Sequence, residues 1–132
     1  MVINRGIIVG SDNDHIKALC SVLTRAFYQP VVVPSLSEAK ALLKKHQCRV
    51  LFIDLDQIVL DNRFLKELRK EYQALAVIGL SNRRFHQELE EAMSRYIDAC
   101  FEKSEDYEDL LYWLKTVVNP SSPSGKPGKG IK

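Results

Sequence analysis

The chain has 132 residues, the length of one globular domain, and its 45% apolar and 27% charged residues are ordinary for a soluble protein. No apolar run approaches the roughly 20 residues that a membrane-spanning helix needs. The N-terminus also lacks the long apolar segment of a secretory signal. We therefore expect a cytoplasmic protein with no membrane partner.

The net charge of +2 is concentrated at the C-terminal end. Residues 119–132 carry three lysines and no acidic residue, so they contribute +3 and leave residues 1–118 with a net charge of −1. A nearly neutral domain lacks the basic surface with which proteins bind nucleic acid, so we expect no direct nucleic-acid binding by residues 1–118. The Pro, Gly and Ser content of 119–132 predicts a flexible linker or tail.

The cysteines and histidines form no metal-binding motif. They are widely spaced, without a CxxC pair or histidines at ligand spacing, which predicts buried small apolar cysteines and histidines with surface or structural roles. The residues concerned are Cys20, Cys48, Cys100, His15, His46 and His86.

The first half of the chain predicts three strands and two helices. Short apolar runs at 6–9, 30–33 and 50–53 are typical of strands buried on both faces. After the first strand, apolar residues recur at helical spacing: Ile16, Leu19, Cys20, Leu23 and Phe27. Ser35 followed by Glu38 forms a capping box, which predicts the start of the second helix.

The second half continues the alternation of strands and helices. Asp61 or Asn62 can cap a third helix, strand 76–80 follows, and Asn82 can cap a polar helix of about a dozen residues. A short strand at 99–101 leads to a last helix over 107–118. Five strands alternating with five helices predict an α/β protein, a (βα)5 three-layer α/β/α sandwich around a parallel sheet.

Polar residues follow the predicted strands where each strand ends. Ser11, Asp12 and Asp14 follow strand one, Asp54 follows strand three, Ser81 follows strand four and Lys103 follows strand five. Because the carboxyl ends of parallel strands share one edge, we expect these groups to meet there. Asp12 and Asp14 can alternatively cap the first helix.

This set of groups is suited to phosphoryl transfer onto a carboxylate. Asp54 is the candidate nucleophile, and a second carboxylate favours a divalent cation such as Mg²⁺, which is bound through one or two carboxylates and phosphate oxygens. Lys103 and the Ser81 hydroxyl would hold the oxygens of the transferred group.

Residues 5–118 resemble a response-regulator receiver domain of the CheY-like, flavodoxin-like fold. The resemblance is carried by the order of the strands and by Asp54, Ser81 and Lys103, each at its family position. The resemblance implies a five-stranded parallel sheet in the order 2-1-3-4-5 and a signalling module rather than an enzyme. It implies that Asp54 receives phosphate from a sensor histidine kinase or phosphotransfer protein, with Mg²⁺ held by Asp12, Asp54 and the backbone carbonyl of Asp56. It also implies a homodimer surface on the last two helices. By the same analogy, residues 119–132 would lead to an output domain beyond residue 132, and the alternative is a stand-alone receiver.

The sequence departs from the usual receiver pattern at several positions. The family has two adjacent acids after strand one, whereas this chain reads Gly10-Ser11-Asp12, so one acid matches if an extra residue is allowed and none otherwise. Lys103 is followed by Ser104 where the family has Pro. Cys100 stands where the family often has a switching aromatic residue.

These departures leave a second hypothesis open: a pseudo-receiver that binds partners without phosphorylation. A third hypothesis comes from the opening 6–14, which is similar to the carboxyaminoimidazole ribonucleotide mutases of purine biosynthesis. That family's downstream Ser-Ala-His-Arg segment is absent, since the chain reads Pro34-Ser35-Leu36-Ser37 after strand two. The enzyme hypothesis is therefore the weakest of the three.

Overall fold

The computed structural model describes residues 4–11, 13–59, 62–82, 96–103 and 107–118. Its centre is a five-stranded, all-parallel sheet in the order β2-β1-β3-β4-β5, which confirms the predicted fold class and strand order. The strands are β1 (Asn4–Val9), β2 (Tyr28–Val33), β3 (Cys48–Asp54), β4 (Ala76–Ser81) and β5 (Ala99–Glu102).

The helices lie where the apolar periodicity predicts them. Their bounds are α1 (Asp14–Arg25), α2 (Leu36–Lys45), α3 (Asn62–Glu71) and α4 (Glu108–Trp113), and Leu114–Val118 continue α4 as a wider π-helical turn. The Ser35 side chain caps α2 by accepting a hydrogen bond from the Glu38 backbone, as the capping box predicts. The polar helix predicted after Asn82 falls outside the described residues. Within the described parts of the chain, no helix has the length and apolarity to span a bilayer.

The central strands are buried on both faces, and side-chain alternation sends neighbouring residues into two separate cores. One face of β3 presents Leu51 and Ile53 to a core that includes residues of α2 and α3. The other face presents Val50 and Phe52 to a core that includes residues of α1 and α4. This arrangement produces the three layers of the α/β/α sandwich. Polar groups of the sheet are therefore found at the strand ends.

Backbone hydrogen bonds extend the sheet past the strand ends and fix the relative heights of the polar residues. The Leu55 amide donates to the Leu80 carbonyl at 2.8 Å, and the Lys103 amide donates to the Ser81 carbonyl at 3.1 Å. The register pairs Asp54 with Leu80. The residues that follow β3, β4 and β5 are therefore held side by side at one edge.

Two predictions about apolar residues were wrong. Helix α1 ends at Arg25, so Phe27 does not continue its apolar face; it has a left-handed backbone conformation (φ 67°) and is 84% exposed. The cysteines are not buried small hydrophobes as predicted: Cys20 and Cys48 are half-buried and Cys100 is exposed.

The contrast between two phenylalanines tests this fold. Phe52 is fully buried in β3, so we expect Phe52→Ala to lower the free energy of unfolding by about 3–5 kcal/mol through lost burial and a residual cavity. Phe27→Ala makes the same chemical change at an exposed position and should cost no more than about 0.5 kcal/mol. Urea denaturation of both variants measures the difference, and equal losses would contradict the core assignment.

Candidate functional site

Asp54 is the last residue of β3 and is 1% exposed, an unusual position for a carboxylate. Its Oδ1 atom accepts a hydrogen bond from the Asp56 amide at 3.0 Å and lies 2.8 Å from Lys103 Nζ. A buried charge requires this kind of pairing, because an unpaired carboxylate in the protein interior is strongly destabilising.

The second oxygen of Asp54 has different surroundings. Asp54 Oδ2 is buried and has no hydrogen-bond partner among the described residues. Gly10, at the end of β1, lies beside it: a Cβ added at Gly10 would sit 3.1 Å from Asp54 Cβ and 3.6 Å from Oδ2. The lack of a side chain at Gly10 therefore lets the backbone approach the carboxylate closely, beside a carboxylate oxygen that no described donor satisfies.

Lys103 links two carboxylates. Its side chain is 6% exposed, and its Nζ lies 2.8 Å from Asp54 Oδ1 and 3.1 Å from Asp56 Oδ2. Burial by itself lowers the pKa of Lys103, but hydrogen bonds to Asp54 and Asp56 and their negative charges outweigh burial and raise the pKa above its ordinary value. The raised pKa favours the protonated, cationic form of Lys103 at this edge of the sheet.

Among the described residues, three donors from different parts of the chain contact the Asp56 side chain. Ser81 Oγ donates to Asp56 Oδ1 at 2.7 Å, the Asn82 amide donates to Oδ2 at 2.8 Å, and Lys103 Nζ lies against the same Oδ2. We call Ser81 Oγ, the Asn82 amide and Lys103 Nζ the oxyanion donors. Burial raises the pKa of Asp56, but the oxyanion donors outweigh burial and hold the pKa below the ordinary carboxyl value.

The residues after β1 do not converge on this edge as fully as expected. Ser11 is exposed, and its amide donates to Gln57 Oε1 at 3.0 Å. Asn13, rather than Asp12 or Asp14, caps α1 by accepting from the Ile16 amide. Asp14 is exposed in the first turn of the helix, and Asp12 lies outside the described residues.

The structure thus brings together three of the predicted site residues, Asp54, Ser81 and Lys103. Two further groups, the Asp56 side chain and the Asn82 amide, are part of the site and were not predicted. The signal for Asp56 was its position two residues after Asp54, at the end of the same buried strand. The contribution of the Asn82 backbone amide cannot be predicted from the sequence, because every residue except proline has a backbone amide.

A Mg²⁺ ion fits part of this site. The buried Oδ2 atom of Asp54, which no described donor satisfies, is a hard oxygen ligand of the type Mg²⁺ prefers. The described residues include no group of three His, Cys, Asp or Glu side chains arranged to hold a metal. Mg²⁺ needs only one or two carboxylates when water and phosphate oxygens complete its coordination. This donor set therefore suits Mg²⁺ better than it suits a metal that is coordinated by protein groups alone.

The β5–α4 edge beside the site is built differently from the family pattern. Cys100, at the position where receivers often have a switching aromatic residue, is exposed. Phe101 makes an edge-to-face contact with Trp113 of α4, with ring centroids 6.1 Å apart. Tyr107 precedes α4 in a left-handed conformation (φ 47°) and is buried. An aromatic contact at this edge is thus made one residue later than the family pattern implies.

Removing the Lys103 ammonium should destabilise the domain. Lys103→Met leaves Asp54 buried without its cation, so we expect the free energy of unfolding to fall by about 3 kcal/mol, as when one partner of a buried ion pair is removed. Adding Asp54→Asn to this variant should recover part of the loss. Urea denaturation provides the measurement, with Lys115→Met as the exposed control. A Lys103→Met protein as stable as the control would show that the ion pair contributes nothing.

Comparison with known proteins identifies the fold. No family model matches the sequence, and no curated protein matches it significantly. Solved structures that resemble it include CheY-like response-regulator receiver domains, some of them from orphan regulators.

Three of these structures illustrate the similarity. A response regulator from Thermotoga maritima has a TM-score of 0.72 at 15% identity, over 92% of this chain and 100% of that one. The chemotaxis response regulator CheY4 of Vibrio cholerae has a TM-score of 0.69 at 19% identity, over 86% and 97%. An atypical orphan response regulator, described as having a phosphorylation-independent regulatory mechanism, has a TM-score of 0.67 at 13% identity, over 83% and 90%. The chain therefore has the fold of the response-regulator receiver domains.

Proposed function

We propose that this protein is a receiver in a phosphorelay: Asp54 accepts a phosphoryl group from a sensor histidine kinase or phosphotransfer protein, and an output domain or partner reads the change. The observation that carries the proposal is the ion pair between the buried Asp54 carboxylate and Lys103, at 2.8 Å, with the oxyanion donors beside it. A parallel sheet places ligands at this edge, and the fold is that of signalling receivers.

The transfer step uses these groups in distinct roles. An Asp54 oxygen attacks phosphorus, the O–P bond forms as the P–N bond to the donor's histidine breaks, and the histidine leaves with its electron pair and takes up a proton. Lys103, whose pKa is raised, stays protonated and neutralises charge on the phosphoryl oxygens. The Ser81 hydroxyl donates to one of those oxygens.

A Mg²⁺ ion would be held by Asp54 through its free Oδ2, with Asp12 and the Asp56 carbonyl as the further ligands proposed from the sequence. When bound, the ion would offset the negative charge of the phosphoryl donor near the carboxylates. Dimerisation through the last two helices stays a prediction, since one of those helices lies outside the described residues.

The second candidate function is a pseudo-receiver that binds its partner without phosphorylation. The observation that favours it is the Asp56 carboxylate, which accepts hydrogen bonds from Ser81 and Asn82 in the unphosphorylated protein. The exposed Cys100 in place of a switching aromatic residue points the same way. One structural neighbour is described as regulated independently of phosphorylation.

Chemical phosphorylation distinguishes the two functions. We expect the protein, incubated with Mg²⁺ and acetyl phosphate, to gain the mass of one phosphoryl group, because a small donor requires only the acceptor and its local groups. Intact-mass spectrometry measures the adduct, and Asp54→Asn, which keeps the side-chain size but removes the nucleophile, should gain none. Chelating Mg²⁺ should suppress the adduct.

The control is Asp109→Asn, an exposed carboxylate of α4, which should be phosphorylated like the wild type. If neither acetyl phosphate nor a histidine phosphotransfer donor modifies the wild type, the phosphorelay proposal fails and the pseudo-receiver function takes its place.

A further inference from the structure

The three oxyanion donors converge on a single group, the Asp56 carboxylate. Ser81 Oγ donates to its Oδ1, and the Asn82 amide and Lys103 Nζ contact its Oδ2, all within 2.7–3.1 Å. The donors come from the end of β4, the residue after it and the residue after β5, so the fold itself assembles a site for an oxyanion. In this structure the oxyanion belongs to the protein.

We propose that the Asp56 carboxylate is an internal occupant of an oxyanion site and restrains phosphorylation of Asp54 until it is displaced. The inference rests on the proposed function for its regulatory consequence. The existence of the oxyanion site itself rests on the contacts alone.

The number of available protons makes the two occupants mutually exclusive. The Ser81 hydroxyl and the Asn82 amide each have one proton to donate, and both protons are directed at Asp56. Lys103 has three protons and can serve Asp54 and a second acceptor together. A phosphoryl group on Asp54 therefore obtains the Ser81 and Asn82 protons only after the Asp56 carboxylate moves away.

Displacement is compatible with the position of Asp56. Its side chain is 22% exposed, in contrast to the 1% exposure of the Asp54 side chain, so it can reach solvent without opening the core. Its negative charge also opposes the approach of an anionic donor to Asp54. Removing the Asp56 carboxylate should both free the oxyanion donors and reduce this repulsion.

Binding of inorganic phosphate without Mg²⁺ tests the site independently of phosphoryl transfer. We expect Asp56→Ala to bind phosphate at least about tenfold more tightly than the wild type, equivalent to about 1.4 kcal/mol. The titration is followed by the ¹⁵N–¹H resonance of the Asn82 amide. That resonance should shift when the carboxylate is removed and shift back towards its wild-type position as phosphate binds. Glu67→Ala, which removes an exposed charge on α3, controls for net charge.

A second variant covers the case in which Asp56→Ala does not fold. Asp56→Asn keeps an acceptor oxygen for Ser81 and Asn82 but has no charge to compete for Lys103, so its phosphate affinity should lie between those of the wild type and the alanine variant. The proposal would be overturned if the folded variants bound phosphate with the same affinity as the wild type. It would also be overturned if the Asn82 amide resonance did not shift during the phosphate titration.

The rate of modification by acetyl phosphate then tests the regulatory role. The proposal predicts that Asp56→Ala acquires the Asp54 adduct several-fold faster than the wild type and Glu67→Ala, and an unchanged or slower rate would refute the restraint. If no protein in the series is modified, the phosphorelay function fails, while the phosphate titration still decides whether the oxyanion site exists.

Discussion

The Lys103 ammonium is the interaction on which the functional edge of this domain depends. It lies against Asp54 and Asp56, so two carboxylates that would otherwise repel each other share one cation. Isolated, a carboxylate that is 1% exposed would be strongly disfavoured, and so would a lysine whose side chain is 6% exposed. The free-energy cost of burying either carboxylate or the ammonium is offset only because the oppositely charged partner is present. The end of β3 and the residue after β5 are therefore constrained to remain together.

Much of the fold and three of the five groups of the site could be predicted because they follow from strong local patterns. A buried strand ending in Asp54 and a parallel sheet are enough to place Ser81 and Lys103 near that carboxylate. The Asp56 side chain could not be placed in this way, since its direction depends on the turn after β3. In that turn the amides of Gln57 and Ile58 both donate to the Asp54 carbonyl, and no periodic pattern reports such a turn.

The error at Phe27 has a comparable origin. Helical spacing continues smoothly from Leu23 to Phe27, and no glycine or proline marks the end of the helix. The amides of Ala26 and Phe27 nevertheless bond to carbonyls of the last turn, and the left-handed conformation of Phe27 turns the chain towards β2. A helix end formed by a phenylalanine at positive φ contradicts the usual residue preferences, so tertiary structure determines it here.

The backbone bond from Lys103 to Ser81 also has a consequence for biosynthesis. Because β5 is the last strand in the described part of the chain and Lys103 follows it, the ion pairs of the site cannot form until residue 103 has left the ribosome. A nascent chain carrying only β1 to β4 would contain Asp54 without Lys103. The ion-paired edge would therefore form together with the finished sheet, and incompletely synthesised chains would lack it.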